Sequence, residues 1–89
     1  MFRVQWLAEA VEELARIWTD ADSTLRQAVT AATQALDEEL RLNPFRQSES
    51  REDERRVLFL YPLAARIKVD LEQRIVWVLH VWQFRRRGK

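Results

Sequence analysis

The 89-residue chain has no cysteine, one histidine, one glycine and two prolines. Without cysteine there is no disulfide, no thiolate nucleophile and no cysteine-based zinc site. A lone histidine, His80, excludes a histidine-rich metal centre, so neither a metal nor a cofactor is expected. The scarcity of glycine and proline leaves little room for long loops or low-complexity linkers. No stretch approaches the roughly 18 apolar residues of a membrane helix. The opening residues, Met1-Phe2-Arg3-Val4-Gln5-Trp6, have neither the length nor the apolar run of a signal peptide. A soluble, cytoplasmic protein with no membrane partner is the expectation.

What is present suits one small domain, taken as residues 1–89. A domain of this size buries only about 60–65% of the surface its unfolded chain exposes, so each element must contribute an apolar face. The 47% hydrophobic content, with four tryptophans, meets that demand. The net charge of +1 hides an asymmetry. Residues 1–43 carry four Lys/Arg against eight Asp/Glu, a net of −4, and residues 44–89 carry eleven against six, a net of +5. The basic half is suited to phosphate or an acidic peptide.

Residues 2–6 alternate in the period of a half-buried strand, with Phe2, Val4 and Trp6 toward the core. Over 8–19 the period changes. Val11, Leu14, Ala15 and Trp18 fall on one helical face, and Glu9, Glu12 and Glu13 lie toward the end where the helix dipole favours negative charge. Asp22 or Ser23 is placed to cap a second helix over 23–42, whose stripe is Leu25, Ala28, Val29, Ala32, Leu36 and Leu40. Asn43-Pro44 ends it. Residues 45–54 are polar and aperiodic, a loop. Arg56 to Tyr61 reads as a strand closed by Pro62. Ala65 to Asp70 alternates cleanly, with Arg66, Lys68 and Asp70 on one face and Ala65, Ile67 and Val69 on the other. Ile75 to Phe84 is apolar on both faces, as a central strand is. The order β-α-α-β-β-β predicts an α+β fold, with an αα-hairpin packed on one face of a small, mainly antiparallel sheet.

This series of pieces resembles the RelE/ParE toxin superfamily over essentially the full length. The resemblance is carried by the strand and αα-hairpin, the loop Asn43-Pro44-Phe45-Arg46, the segment Arg66-Ile67-Lys68-Val69-Asp70 and a last strand, Val78 to Arg86, ending in a basic cluster. It implies a toxin of a type II toxin–antitoxin pair, held inactive by a cognate antitoxin. RelE-like members cleave ribosome-bound mRNA; ParE-like members inhibit DNA gyrase.

Metal-free RNA cleavage by 2′-OH attack needs a base for the 2′-OH, cations for the phosphorane and an acid for the leaving oxygen. By the resemblance, Arg66 is the phosphate clamp, since its fork binds phosphate in a bidentate manner. His80 suits base or acid. Tyr61 suits leaving-group acid or a stacking surface, and Arg85 completes the catalytic set. Arg46, Arg56, Lys68 and Arg86 extend an RNA-binding track. Several have a plain structural alternative beside these roles: a surface ion pair for Arg66, a hydrogen-bonded structural residue for His80, a core ring with its hydroxyl in water for Tyr61, and a solvated basic tail for Arg85 and Arg86. Trp82 is expected in the core, with stacking on a base as the alternative. Active RelE-like members carry several Lys/Arg on the strand after the loop, whereas Val57-Leu58-Phe59-Leu60 is apolar here. The leading expectation is an mRNA endoribonuclease. A ParE-like gyrase inhibitor and an inactive orphan binding module of the same fold are the alternatives.

Overall fold

A computed structural model describes residues 1–46, 48–50 and 55–84. Strand β1 (Arg3–Trp6) passes through Leu7 into α1 (Ala8–Asp20), and α2 (Ser23–Leu42) follows. Five strands form one sheet in the order β1-β5-β4-β3-β2, with β2 (Glu49–Ser50), β3 (Arg55–Leu60), β4 (Leu63–Asp70) and β5 (Ile75–Gln83). All neighbours are antiparallel except β1 and β5, which run parallel. The architecture is the α+β layering that the sequence predicts, with β5 internal between β1 and β4. The stretch expected to be wholly loop contains the two-residue β2, paired to Val57 and Arg56.

Local chemistry fixes the hairpin. The Asp22 carboxylate accepts from the Leu25 N–H at 2.8 Å, satisfying one of the free donors of α2. Arg26 donates to the Trp18 and Thr19 carbonyls and lies 4.3 Å from the Trp18 ring centroid, tying the end of α1 to the start of α2. At the far end of α2 the Arg41 carbonyl accepts from the Phe2 N–H at 2.8 Å, which anchors the start of β1.

The core lies between the hairpin and one face of the sheet. Val29, Ala32, Leu36 and Leu40 of α2 and Ala10 of α1 pack with Leu58, Leu63, Ala65, Ile67, Val76, Val78 and Val81. The α2 stripe is as expected. On α1 the inward face is rotated by about one residue. Ala10 is buried and Leu14 and Ile17 pack on the core, while Val11 and Trp18 are 50% and 44% exposed and line an outward groove against Thr30, Thr33 and Gln34. Two apolar stripes overlap on this helix, and the one carrying the small Ala10 lets α1 close onto β5. Phe2 is buried, and Val4 and Trp6 are half-buried on the core side.

Candidate functional site

Pairing register sorts every strand residue onto one of the two sheet faces, because alternate side chains point to opposite sides. Ile67 pairs with Arg56 and Val78 on the helix side. Arg66 pairs with Val57 and His80 on the other side, where none of the helical core residues lies. Four cross-strand rows follow on that open face, the farthest from the β3–β4 turn being Asp70, Ile75 and Arg3. Phe59, Ala64 and Trp82 lie nearest the β3–β4 turn. Glu49, Val57, Arg66 and His80 come next, and then Arg55, Lys68, Trp77 and Gln5. Directly opposed residues have Cβ atoms about 5 Å apart, so Arg66 and His80 are neighbours.

That pairing depends on an irregularity. Arg66 faces His80 but Ile67 faces Val78, leaving Leu79 as an extra residue in β5. The bulge reverses the strand's parity. Val76 and Val78 point to the core before it and Val81 after it, so His80 and Trp82 are turned to the open face. Trp82, expected in the core, stands 37% exposed.

A third group joins from α1. Edge strand β1 covers β5 only as far as Val78, where Trp6 pairs and the Leu7 N–H donates to the Val78 carbonyl. Beyond that point the β5 edge would leave the Val81 N–H without a partner. One oxygen of the Glu13 carboxylate accepts from it at 2.8 Å, and the other lies 3.2 Å from His80 Nδ1. Glu13, Arg66, His80, Val81 and Trp82 line one shallow depression. Partial burial tends to raise the Glu13 pKa, but the Val81 N–H, His80 and Arg16 together outweigh it and hold the carboxyl below its ordinary value near 4.5. Glu13 was not foreseen as a site residue. Its signal was present, because position 13 falls on the stripe of Ala10, Leu14 and Ile17, where a carboxylate demands a partner.

The foreseen cations divide by strand parity. Arg66 and Lys68 are exposed on the open face, and neither makes a hydrogen bond or ion pair with the described residues. Arg55 shares that face and that lack of a partner. Arg56 projects to the helix side instead. It donates to Ser48 Oγ at 2.5 Å and the Ser48 carbonyl at 3.0 Å, and lies 4.9 Å from the Phe45 ring centroid. Arg46 forms a two-pronged pair with Glu39, both bonds 2.8 Å, at the end of α2. Neither Arg46 nor Arg56 is brought to Arg66, since each anchors the loop after α2. Tyr61 sits in the β3–β4 turn, about 10 Å of strand from the Arg66 row. Its ring packs edge-on against Phe84 at 5.8 Å, and Phe84 packs against Phe59 at 5.3 Å. An aromatic patch therefore adjoins the Arg66–His80 pair. Arg85 and Arg86 lie outside the described residues. No group of three or more potential metal ligands occurs among the described residues, and no described helix is long and apolar enough to cross a membrane.

No family model matches the sequence, and no curated protein does. Solved structures do. The RelBE2 toxin–antitoxin complex of Mycobacterium tuberculosis superposes with a TM-score of 0.74 at 15% identity, covering 93% of this chain and 91% of that one. The chain has the RelE/ParE toxin fold. The intact Escherichia coli RelBE complex matches this RelE/ParE fold at 0.64 and 20% identity, over 97% and 100% of the two chains. The chromosomal ParDE system of P. aeruginosa matches it at 0.65 and 18%, over 96% and 98%.

Two carboxylates of this RelE/ParE fold set an acid limb of stability. Hydrogen bonding to Arg46 is the leading cause that holds Glu39 below its ordinary value of 4.5, and Glu13 is held low as described. A depressed folded pKa stabilises the fold above the ordinary value, and that stability is lost as pH falls through the folded value. Urea midpoints should therefore be level above about pH 5 and decline below 4.5. In Glu39→Gln the decline should be shallower. An unchanged acid slope in that variant would show that the pair contributes nothing to folding.

Proposed function

We propose that the chain is the toxin of a type II toxin–antitoxin pair and cleaves ribosome-bound mRNA by metal-free acid–base chemistry. The observation that carries this reading is the Arg66 guanidinium, unpartnered among the described residues, directly across the ladder from His80 on the face without helices. An imidazole beside an exposed fork of N–H donors matches the needs of 2′-OH attack. His80 takes the 2′-OH proton as the 2′-oxygen bonds to phosphorus. Arg66 stabilises the charge gathered on the phosphorane oxygens. The 5′-oxygen leaves, taking a proton from solvent, and a 2′,3′-cyclic phosphate remains. Lys68 and Arg55 supply further phosphate contacts, and the patch of Phe59, Tyr61 and Trp82 offers stacking for flanking bases. At about 10 Å from the Arg66 row, Tyr61 suits stacking better than proton transfer. The neighbours solved with antitoxins support a cognate antitoxin as partner, and the cytoplasm is where such a pair and its ribosomes would meet.

Primer extension on translating ribosomes tests the reading. New 5′ ends should appear in message only when ribosomes and the protein are both present; none at excess protein would rule the nuclease out.

A second reading has its own support. On the open face β3 contributes only Arg55 as a cation, with Val57 and Phe59 beyond it. Fewer cations suit a protein target better than RNA, as in a ParE-like gyrase inhibitor. Loss of DNA supercoiling at stoichiometric protein, with no mRNA cleavage, would favour it. Normal supercoiling and intact mRNA together would leave a binding module of the same fold.

A further inference from the structure

We infer that Glu13 is a positioning residue that locks the His80 ring as its Nδ1–H tautomer and so presents Nε2 as the free base. The catalytic use of that nitrogen rests on the nuclease reading; the lock itself does not.

The argument begins with the Val81 N–H. It is a fixed backbone donor beyond the reach of β1, and it takes one oxygen of Glu13 at 2.8 Å. The carboxylate is thereby held in place on α1, and its second oxygen is directed at His80 Nδ1, 3.2 Å away. An ionised carboxylate can only accept, so a neutral imidazole satisfies this contact only with its proton on Nδ1. Among the described residues the ring makes no other hydrogen bond, so Nε2 keeps its lone pair. The Leu79 bulge places the ring beside Arg66, and the shared depression brings Nε2 within reach of a phosphodiester held there. The three contributions come from separate elements: the carboxylate from α1, the imidazole from β5 and the guanidinium from β4. Tautomer selection by a carboxylate behind the ring is a general device for histidine bases.

Glu13→Gln makes a sharp test because it is nearly isosteric. The amide has one acceptor oxygen, and the fixed Val81 N–H claims it. The NH2 group must then face Nδ1 and donate to it, which forces the ring proton onto Nε2. The substitution should therefore reverse the tautomer while leaving the fold intact. Long-range 1H–15N correlation spectra of the full chain, recorded where the imidazole is neutral, read this directly. Wild type should show Nδ1 protonated and Nε2 bare, and Glu13→Gln the opposite. On the nuclease reading the variant's kcat for mRNA cleavage should fall ten- to a hundredfold with KM little changed, because the base is lost and the phosphate contacts remain. A wild-type ring protonated on Nε2 would overturn the inference, as would a tautomer indifferent to Glu13→Gln. Wild-type protein that shows the Nδ1–H ring but cuts no mRNA would instead refute the nuclease proposal and leave the lock standing.

Discussion

Arg66→Ala is expected to lower the rate of ribosome-dependent mRNA cleavage by about a hundred- to a thousandfold, with no measurable change in folding. The size follows from what the guanidinium does on the nuclease reading. As the 2′-oxygen attacks, charge gathers on the phosphorane oxygens, and removing one well-placed donor to such a centre typically costs about 3–4 kcal/mol. Arg66 suits that role because it is exposed and unpartnered among the described residues, so its donors are free for substrate. The same fact protects the fold, since deleting an unpaired exposed side chain leaves no buried group orphaned. Arg66→Lys keeps the charge but loses the two-pronged geometry, and should recover only part of the rate. The check is the rate of appearance of new 5′ ends under saturating protein, alongside urea midpoints for all three proteins. The loss should lie in kcat more than in KM, as for a contact that strengthens toward the transition state. A fall of less than threefold would remove Arg66 from the chemistry and turn attention from the open face.

The properties set by local rules could be read from the sequence. Clean alternation over residues 65–70 placed Arg66 and Lys68 on one face and Ile67 on the other, and the register agrees. The α2 stripe and the Asp22 cap were equally legible, because a helix's periodicity and its free N–H groups are local matters. The misses share a cause, which is long-range pairing. In β5, apolar residues occupy both parities, so nothing in the sequence marks Leu79 as the bulge or assigns a face to His80 and Trp82. That β1 pairs in parallel with β5, and only as far as Val78, is likewise invisible locally. Yet that short overlap leaves the Val81 N–H to be met by Glu13, which lies on the inward face of α1 with Ala10 while Val11 and Trp18 stay outside. Charge was misleading for a related reason. Arg56 and Arg66 look alike as basic strand residues, but strand parity sends one to the loop side and the other to the open face.

That parity separates folding from chemistry within two consecutive residues. Ile67 adjoins Arg66 but is fully buried, on a central strand, in the cluster with Leu36, Leu40, Val76 and Val78. Ile67→Ala removes several methyl and methylene groups from this packed layer and leaves a cavity that the sheet can only partly close, at a cost of about 2–5 kcal/mol. For a chain of this length the total stability is on the order of 4–13 kcal/mol, so the loss is a large share and sometimes most of it. Urea unfolding should show the midpoint falling steeply at an unchanged slope. In the molecules that remain folded, the rate per folded chain should stay near wild type, because nothing on the open face has been touched. Val11→Ala is the matched control. It also removes apolar groups, but from a site half in water, and should cost well under 1 kcal/mol. Equal losses at positions 11 and 67 would mean that the hairpin does not pack on the sheet through the Ile67 face. The assignment of Arg66 to an uncovered surface would then fail too, because both residues hang on the same register.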